Sequence, residues 1–258
     1  LDFELVDVLR DGALTVITIN RPTVHNALNE QAQRELAAAF DAFENDDGQW
    51  VAIITGAGDK AFCAGHDLKQ QAQGGAMYMP PSGFGGIAGR FSLNKPVIAA
   101  VNGVAMGGGF EIALAADIIV ADARAQFALP EPKVGLAALA GGIQRLAEAI
   151  GMKRAMGMVM TGRRVDAAEG LQLGFVNAVV DGDVLGAARQ WAEQMLACSP
   201  MSIRASKQAM QRFAGISMEQ ALQEQWAYPA VRALLSSEDM VEGPKAFAEK
   251  RAPAWKGR

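Results

Sequence analysis

Val97-Ile98-Ala99-Ala100-Val101-Asn102-Gly103-Val104-Ala105-Met106-Gly107-Gly108-Gly109-Phe110-Glu111-Ile112-Ala113-Leu114-Ala115-Ala116 reads as a buried strand, a turn at Asn102-Gly103, and a glycine turn that opens a helix near residue 109. The first turn of a helix carries backbone N–H groups without internal acceptors, and the helix dipole adds partial positive charge there. Negative charge developing on a carbonyl oxygen would be stabilised at such a place by donors already in position. Glycine lets that oxygen approach the backbone closely. Glu111 falls in the first helical turn, where its carboxylate either caps the helix or points at whatever the glycines bind.

The same strand-then-helix order recurs on both sides. Residues 14–19 alternate as a strand and stop at Asn20-Arg21-Pro22. Asn29 is placed to cap a helix carrying Leu36, Phe40 and Phe43 on one face, which ends at Asn45-Asp46-Asp47-Gly48. A buried strand over 51–55 closes at Gly56-Ala57-Gly58, and further strands are expected at 118–121, 127–129 and, last, 175–180. Two helices follow Gly141-Gly142, through Leu146 and Ile150 and then over 153–160. Such repetition implies an α/β protein whose helices cover largely parallel strands.

From Asp183 onward only helical spacing remains, over 184–198, 202–213 and 217–235, with Ser217-Met218-Glu219-Gln220 fitting a capping box. The division expected is an α/β core over 1–195 and a helical part over 196–258. The tail is basic, with Lys245, Lys250, Arg251, Lys256 and Arg258, for which a solvated charged end is the simplest reading. Residues 73–89, rich in Gly, Met and Pro, read as a loop of the kind that shapes binding sites. Its glycines miss the spacing of a dinucleotide fingerprint, which excludes nicotinamide binding there.

The 258 residues are half hydrophobic and one-fifth charged, as in ordinary globular proteins. A net charge of −4 and a pI near 5.3 give no general attraction to nucleic acid or anionic membranes. Cys63 and Cys198 stand far apart, so neither a disulfide framework nor a cysteine metal site is expected. No apolar run approaches the roughly 20 residues of a membrane span, and no basic segment with an apolar stretch leads the chain. It opens on Leu1, so a short leading piece is expected to be missing. The expected compartment is the cytoplasm or an organelle matrix.

A second glycine-bearing segment, Lys60-Ala61-Phe62-Cys63-Ala64-Gly65-His66-Asp67-Leu68-Lys69, joins the glycine turn in a wider pattern. With it come Asn20-Arg21-Pro22, Asn26-Ala27-Leu28, Lys95-Pro96, Pro130-Glu131, Gly135-Leu136, Gly141-Gly142, Gln144-Arg145-Leu146, Thr161-Gly162, Ala167-Ala168-Glu169-Gly170, Gly174-Phe175-Val176 and Glu249-Lys250-Arg251. In these motifs the chain resembles the enoyl-CoA hydratase/isomerase, or crotonase, superfamily over nearly its whole length. The resemblance implies a crotonase-like spiral of repeated ββα units with a helical C-terminal part that assembles homotrimers, or hexamers as dimers of trimers.

By the same resemblance, the backbone amides of His66 and Gly108 form an oxyanion hole for the thioester oxygen of an acyl-CoA. The position of His66 then acts through its amide rather than its imidazole. Glu111 and Glu131 match the two carboxylates that hydratases place around one water, Glu111 activating the water and Glu131 exchanging a proton at C2. Coenzyme A would be held by Lys60, Ala64 and Lys69, with Phe247 and Lys250 contributed by a neighbouring subunit. No metal or redox cofactor is implied, because the CoA thioester is itself the substrate, and no nucleic-acid or membrane partner is implied. The implied reaction is reversible syn hydration of a 2-enoyl-CoA to a 3-hydroxyacyl-CoA in fatty acid metabolism. The alternatives are double-bond isomerisation, dehydration of a specialised hydroxyacyl-CoA such as a carnitinyl thioester, or a non-catalytic CoA- or RNA-binding scaffold. One departure from the family pattern is Ala138-Leu139, where many hydratases carry Pro-Gly. Leucine for glycine is expected to alter backbone freedom and pocket volume beside the water site.

Overall fold

The computed structural model describes residues 3–68 and 78–258. Strand β1 (Val6–Asp11) turns back on β2 (Leu14–Ile19) as an antiparallel hairpin, with Val6 opposite Ile19 and Asp11 opposite Leu14. Helix α1 (Glu30–Asn45) then crosses to β3 (Val51–Gly56), which pairs parallel with β2. Asn29 caps α1 by accepting the Ala32 N–H at 2.9 Å. The helix buries Ala32, Leu36, Ala39, Phe40 and Phe43 against the sheet, as the spacing requires.

Next comes a structural repeat. Strand β3 leads through a turn into the short β4 (Ala61–Cys63), β5 (Val97–Val101) into β6 (Val104–Met106), and β7 (Ile118–Asp122) into β8 (Gln126–Ala128). The longer strands form one sheet, ordered β1-β2-β3-β5-β7-β10, with β10 at Ala178–Val180. The shorter ones form a second, ordered β4-β6-β8-β9, with β9 at Val165–Asp166. Helix α2 (Gly108–Ala115) follows β6 directly. This is the spiral of ββα units expected from the family pattern.

Two buried asparagines hold the turns between the sheets. Asn102 Nδ2 donates to the carbonyls of Gly56 at 2.9 Å and Gly58 at 2.8 Å, while Asn26 Nδ2 donates to those of Ala57 at 3.0 Å and Ala61 at 2.8 Å. Turn carbonyls without ladder partners are thereby satisfied inside the protein. Both faces of the large sheet are covered at its centre, so β2, β3, β5 and β7 are largely apolar, while the edge strand β1 is mostly exposed. On one side Leu14, Val16, Val51, Ile53, Ile98, Ala100 and Val120 meet Val184, Ala188 and Ala192 of a later helix; the other side packs on α1 and the second sheet. Phe110, Phe127 and Phe175 stack with ring centroids 5.1–5.2 Å apart and tie α2, β8 and the turn before β10 together.

Past β8 run α3 (Gly142–Ile150), α4 (Met152–Thr161) and α5 (Ala167–Leu173), then α6 (Val184–Leu196), the helix that covers the sheet. The C-terminal part consists of α7 (Pro200–Phe213), α8 (Met218–Glu224), α9 (Pro229–Leu235) and α10 (Glu238–Ala248). Several expectations shift in detail. Residues 175–177 form a turn before β10, not part of a strand, and Phe175 turns its ring into the aromatic cluster. The stretch 217–235 breaks at Tyr228-Pro229, because the residue before a proline is driven out of helical geometry; Tyr228 has ψ 135°. The basic tail is partly paired internally: Arg251 bonds Glu242 and Glu249, and Arg258 bonds Glu238. Among the described residues no helix is long and apolar enough to cross a membrane, and no cluster of His, Cys, Asp and Glu is arranged to hold a metal.

Candidate active site

Each of the three consecutive glycines meets a different neighbour. Gly107 has φ +53°, and a Cβ there would lie 2.8 Å from Glu131 Oε1. A Cβ on Gly108 would run into the Phe84 ring, and one on Gly109 into the Cys63 carbonyl of β4. The N-terminus of α2 is thus pressed onto the second sheet, and no side chain caps it. Its first amides are left for another acceptor.

His66 reaches the same place from the preceding unit. Leu28 and His66 form an isolated parallel bridge, in which Leu28 N–H donates to the Gly65 carbonyl at 2.8 Å and Asp67 N–H to the Leu28 carbonyl at 3.0 Å. Successive residues of an extended chain direct their N–H groups to opposite sides, so the His66 N–H faces away from Leu28. Gly65 brings this segment to α2: with φ +91°, it lies so close that a Cβ would be 2.8 Å from the Met106 carbonyl and 3.1 Å from Gly108 N. Arg21 fastens the other flank, its guanidinium bonding the Ala27 carbonyl and, at 3.2 Å, the Asp67 carboxylate.

Glu111 is 4% exposed and does not cap α2. Its Oε1 accepts the N–H of Gly142, the first residue of α3, at 2.8 Å. Burial pushes its carboxyl up to about 7, and the like charge of Glu131 adds to this; the Gly142 N–H and Arg145 act in the opposite direction. Glu131 begins the 3₁₀ turn Glu131–Val134. One of its oxygens rests against Gly107 while the other, Oε2, is buried without a hydrogen-bond partner among the described residues. Burial raises its carboxyl as well. The two glutamates, twenty positions apart in the chain, therefore converge on the N-terminus of α2, one from within the helix and one from the turn after β8.

The remaining site candidates separate. The His66 imidazole is partly buried, with Nδ1 unpartnered among the described residues, and burial holds it below the ordinary histidine range against the pull of Asp67. Burial pushes the Cys63 thiol up to about 12, which removes it as a nucleophile; its sulfur accepts the Gly65 N–H. Exposed Lys60 lines a cavity of about 280 Å³ with Pro22, Thr23, His25 and Asp59, and Ala64 donates its N–H to the His25 carbonyl beside it. Lys69 lies outside the described residues. Phe247, 87% exposed, and Lys250, at φ +53°, stand at the end of α10 away from the hydrogen bonds of the site. At the departure over 138–139, Ala138 is buried and Leu139 is 75% exposed. The anchor of Glu111 on Gly142 was not legible from sequence; the only signal is the pair Gly141-Gly142, whose second member has no room for a Cβ beside the Glu111 carboxylate.

An enoyl-CoA hydratase/isomerase family model matches residues 10–258. The carnitinyl-CoA dehydratase of Escherichia coli K12 is 44% identical, the match covering 99% of each chain, and that of Salmonella arizonae is 45% identical over 98% of this chain and 99% of the relative. Among solved structures, an enoyl-CoA hydratase from Mycobacterium tuberculosis H37Rv superposes with a TM-score of 0.93 at 40% identity, covering 98% of this chain and 99% of the other. An enoyl-CoA hydratase from Mycobacterium marinum gives 0.92 at 39% identity with the same coverage. Motifs, fold and likeness along the full chain agree, and the chain belongs to the enoyl-CoA hydratase/isomerase family.

Proposed function

We propose that this hydro-lyase adds water reversibly across the 2,3-double bond of an enoyl-CoA, with the thioester oxygen held by the amides of His66 and Gly108. As water attacks C3, charge moves onto that oxygen, where helix α2 offers bare N–H groups and the positive end of its dipole. Glu111 takes the proton from the attacking water. The Gly142 N–H fixes its orientation and favours its ionised form. Glu131, with one oxygen buried and unpartnered among the described residues, supplies the proton to C2 on the same face, giving syn addition. In the dehydration direction the two roles reverse.

The observation that carries this reading is the convergence of both carboxyl groups on one helix N-terminus. Measured with crotonyl-CoA, Glu111→Gln and Glu131→Gln are each expected to lower kcat by 10²-fold or more, an order of magnitude typical of general acid–base groups. Hydration preserved in both variants would refute the mechanism.

The likeness to carnitinyl-CoA dehydratases, at 44–45% identity, favours a second reading in which the substrate is a specialised 3-hydroxyacyl-CoA and the enzyme removes water from it with the same residues. A product-resolved screen over short, medium, branched and carnitine-derived acyl-CoAs separates the two. Coenzyme A would lie along Lys60, Ala64 and Lys69. The exposed ring of Phe247, with Lys250, would complete the site of a neighbouring subunit in a trimer or a pair of trimers. The reading requires neither metal nor redox cofactor, and it suits an enzyme of the cytoplasm.

A further inference from the structure

Arg145 takes no part in the proton transfers above, yet its guanidinium lies where two walls of the site meet. Nη2 donates to the Ala88 carbonyl at 2.8 Å and Nη1 reaches the Ala140 carbonyl at 3.4 Å. The cation stands 5.6 Å from the centre of the Phe91 ring. It also fills the space beside Gly141, where a Cβ would collide with Nη1, immediately before the amide that holds Glu111. On the far side, residues 84–91 are already bound to α1: Gln33 accepts the Gly85 N–H at 2.7 Å, and Arg90 pairs with Asp41 and Glu44, each at 2.6 Å. Phe84 of the same segment backs Gly108.

We propose that Arg145 is a positioning residue: by joining segment 84–91 to the Gly141-Gly142 turn, it fixes the Gly108 amide and the Glu111 carboxylate relative to each other. This rests on the hydratase reading. A planar guanidinium reaches two carbonyls in a fixed fork, which an ammonium on a flexible stem does not reproduce. The charge has a separate effect. Glu111 faces Glu131 from the turn after β8 and Arg145 from α3, while Arg145 itself faces Glu111 and, on its own helix, Glu148. Removing the cation leaves Glu111 opposite a like charge alone.

The test compares Arg145→Gln and Arg145→Lys. With crotonyl-CoA both are expected to lower kcat about tenfold with KM changed less than about twofold, since orientation and not CoA affinity is lost. The acid limb of the pH profile is expected to move upward by roughly half a unit or more in Arg145→Gln and to stay in place in Arg145→Lys. Infrared titration of the ligand-free protein, referenced to Glu111→Gln, reports the same shift without turnover. A wild-type enzyme that fails to hydrate any enoyl thioester therefore sinks the hydratase reading, while the titration still decides the role of Arg145. An unmoved Glu111 titration in folded Arg145→Gln overturns the proposal. So does a wild-type kcat in Arg145→Lys, the variant that decides alone if Arg145→Gln does not fold.

Discussion

Two helix N-termini meet at the site, and they use their free amides differently. Helices α2 and α3 both start behind a glycine with positive φ, Gly107 at +53° and Gly141 at +93°, whose missing side chain cannot cap the helix it precedes. At α3 the first amide is occupied: Gly142 N–H holds Glu111 at 2.8 Å. At α2 no side chain takes the Gly108 amide among the described residues, and a Glu131 oxygen rests against the preceding Gly107. The same local geometry thus orients a buried carboxyl group at one helix and, in the proposed mechanism, is kept for the substrate oxygen at the other. Which use prevails depends on what the fold carries to the glycine turn.

That contrast can be broken from either side. The largest effect is expected at the α2 side, through Arg21→Met. This change removes the Arg21 guanidinium from the Ala27 carbonyl and from the Asp67 carboxylate, a pair only 13–14% exposed, and loosens the segment that presents His66. Loss of these charge-assisted hydrogen bonds is expected to cost roughly 2–3 kcal/mol in urea unfolding. On the α3 side, Gly142→Ala places a methyl 2.8 Å from both Glu111 Cγ and Oε1. The carboxylate must shift, and kcat for hydration is expected to fall about 30-fold, with a much smaller change in stability.

A third prediction sharpens the comparison through pH. The folded-state value of Glu111, about 7, lies above its ordinary 4.5, so the native protein binds this proton more tightly than the unfolded chain does. Its burial therefore costs nothing extra below pH 4.5. The cost grows as pH rises to 7 and is constant above that. Glu111→Gln, which carries no charge at any pH, is expected to gain of order 1–2 kcal/mol on the wild type between pH 4.5 and pH 8, read as the difference in urea midpoints. An unchanging difference contradicts the burial argument. The smallest effect is expected from Leu139→Gly: an exposed side chain without positive φ should change stability by less than about 1 kcal/mol and leave kcat near that of the wild type.

Sequence patterning made the central strands β2, β3, β5 and β7 legible because they are five or six residues long and largely buried on both faces, whereas β1, half polar and mostly exposed, was not expected. Of the second sheet only one strand was legible, expected at 127–129 and found as β8 (Gln126–Ala128). Strands β4 and β6 have three residues each, too few to show a period, and what marks them is the pairing they make after folding. Asn29 announced its helix by a local hydrogen bond, whereas α5 and α10 were missed between stronger signals. At the site, glycine turn and helix start were readable from local chemistry. The meeting of Glu111 with Glu131 was not, because a separation of twenty residues acquires meaning only through the ββα spiral; family resemblance supplied it. The roles of Gly142 and Arg145 depend on close approach in three dimensions, which the sequence marks only as a glycine pair followed by an arginine.

Proton exchange at C2 tests the division of labour most directly. With butyryl-CoA in deuterated water, no water needs to be added, so only the group that moves the C2 proton matters. The account predicts that Glu111→Gln still incorporates deuterium at C2 and that Glu131→Gln does not. Exchange retained in Glu131→Gln, or lost in Glu111→Gln alone, would contradict the placement of the two acids around the helix N-terminus.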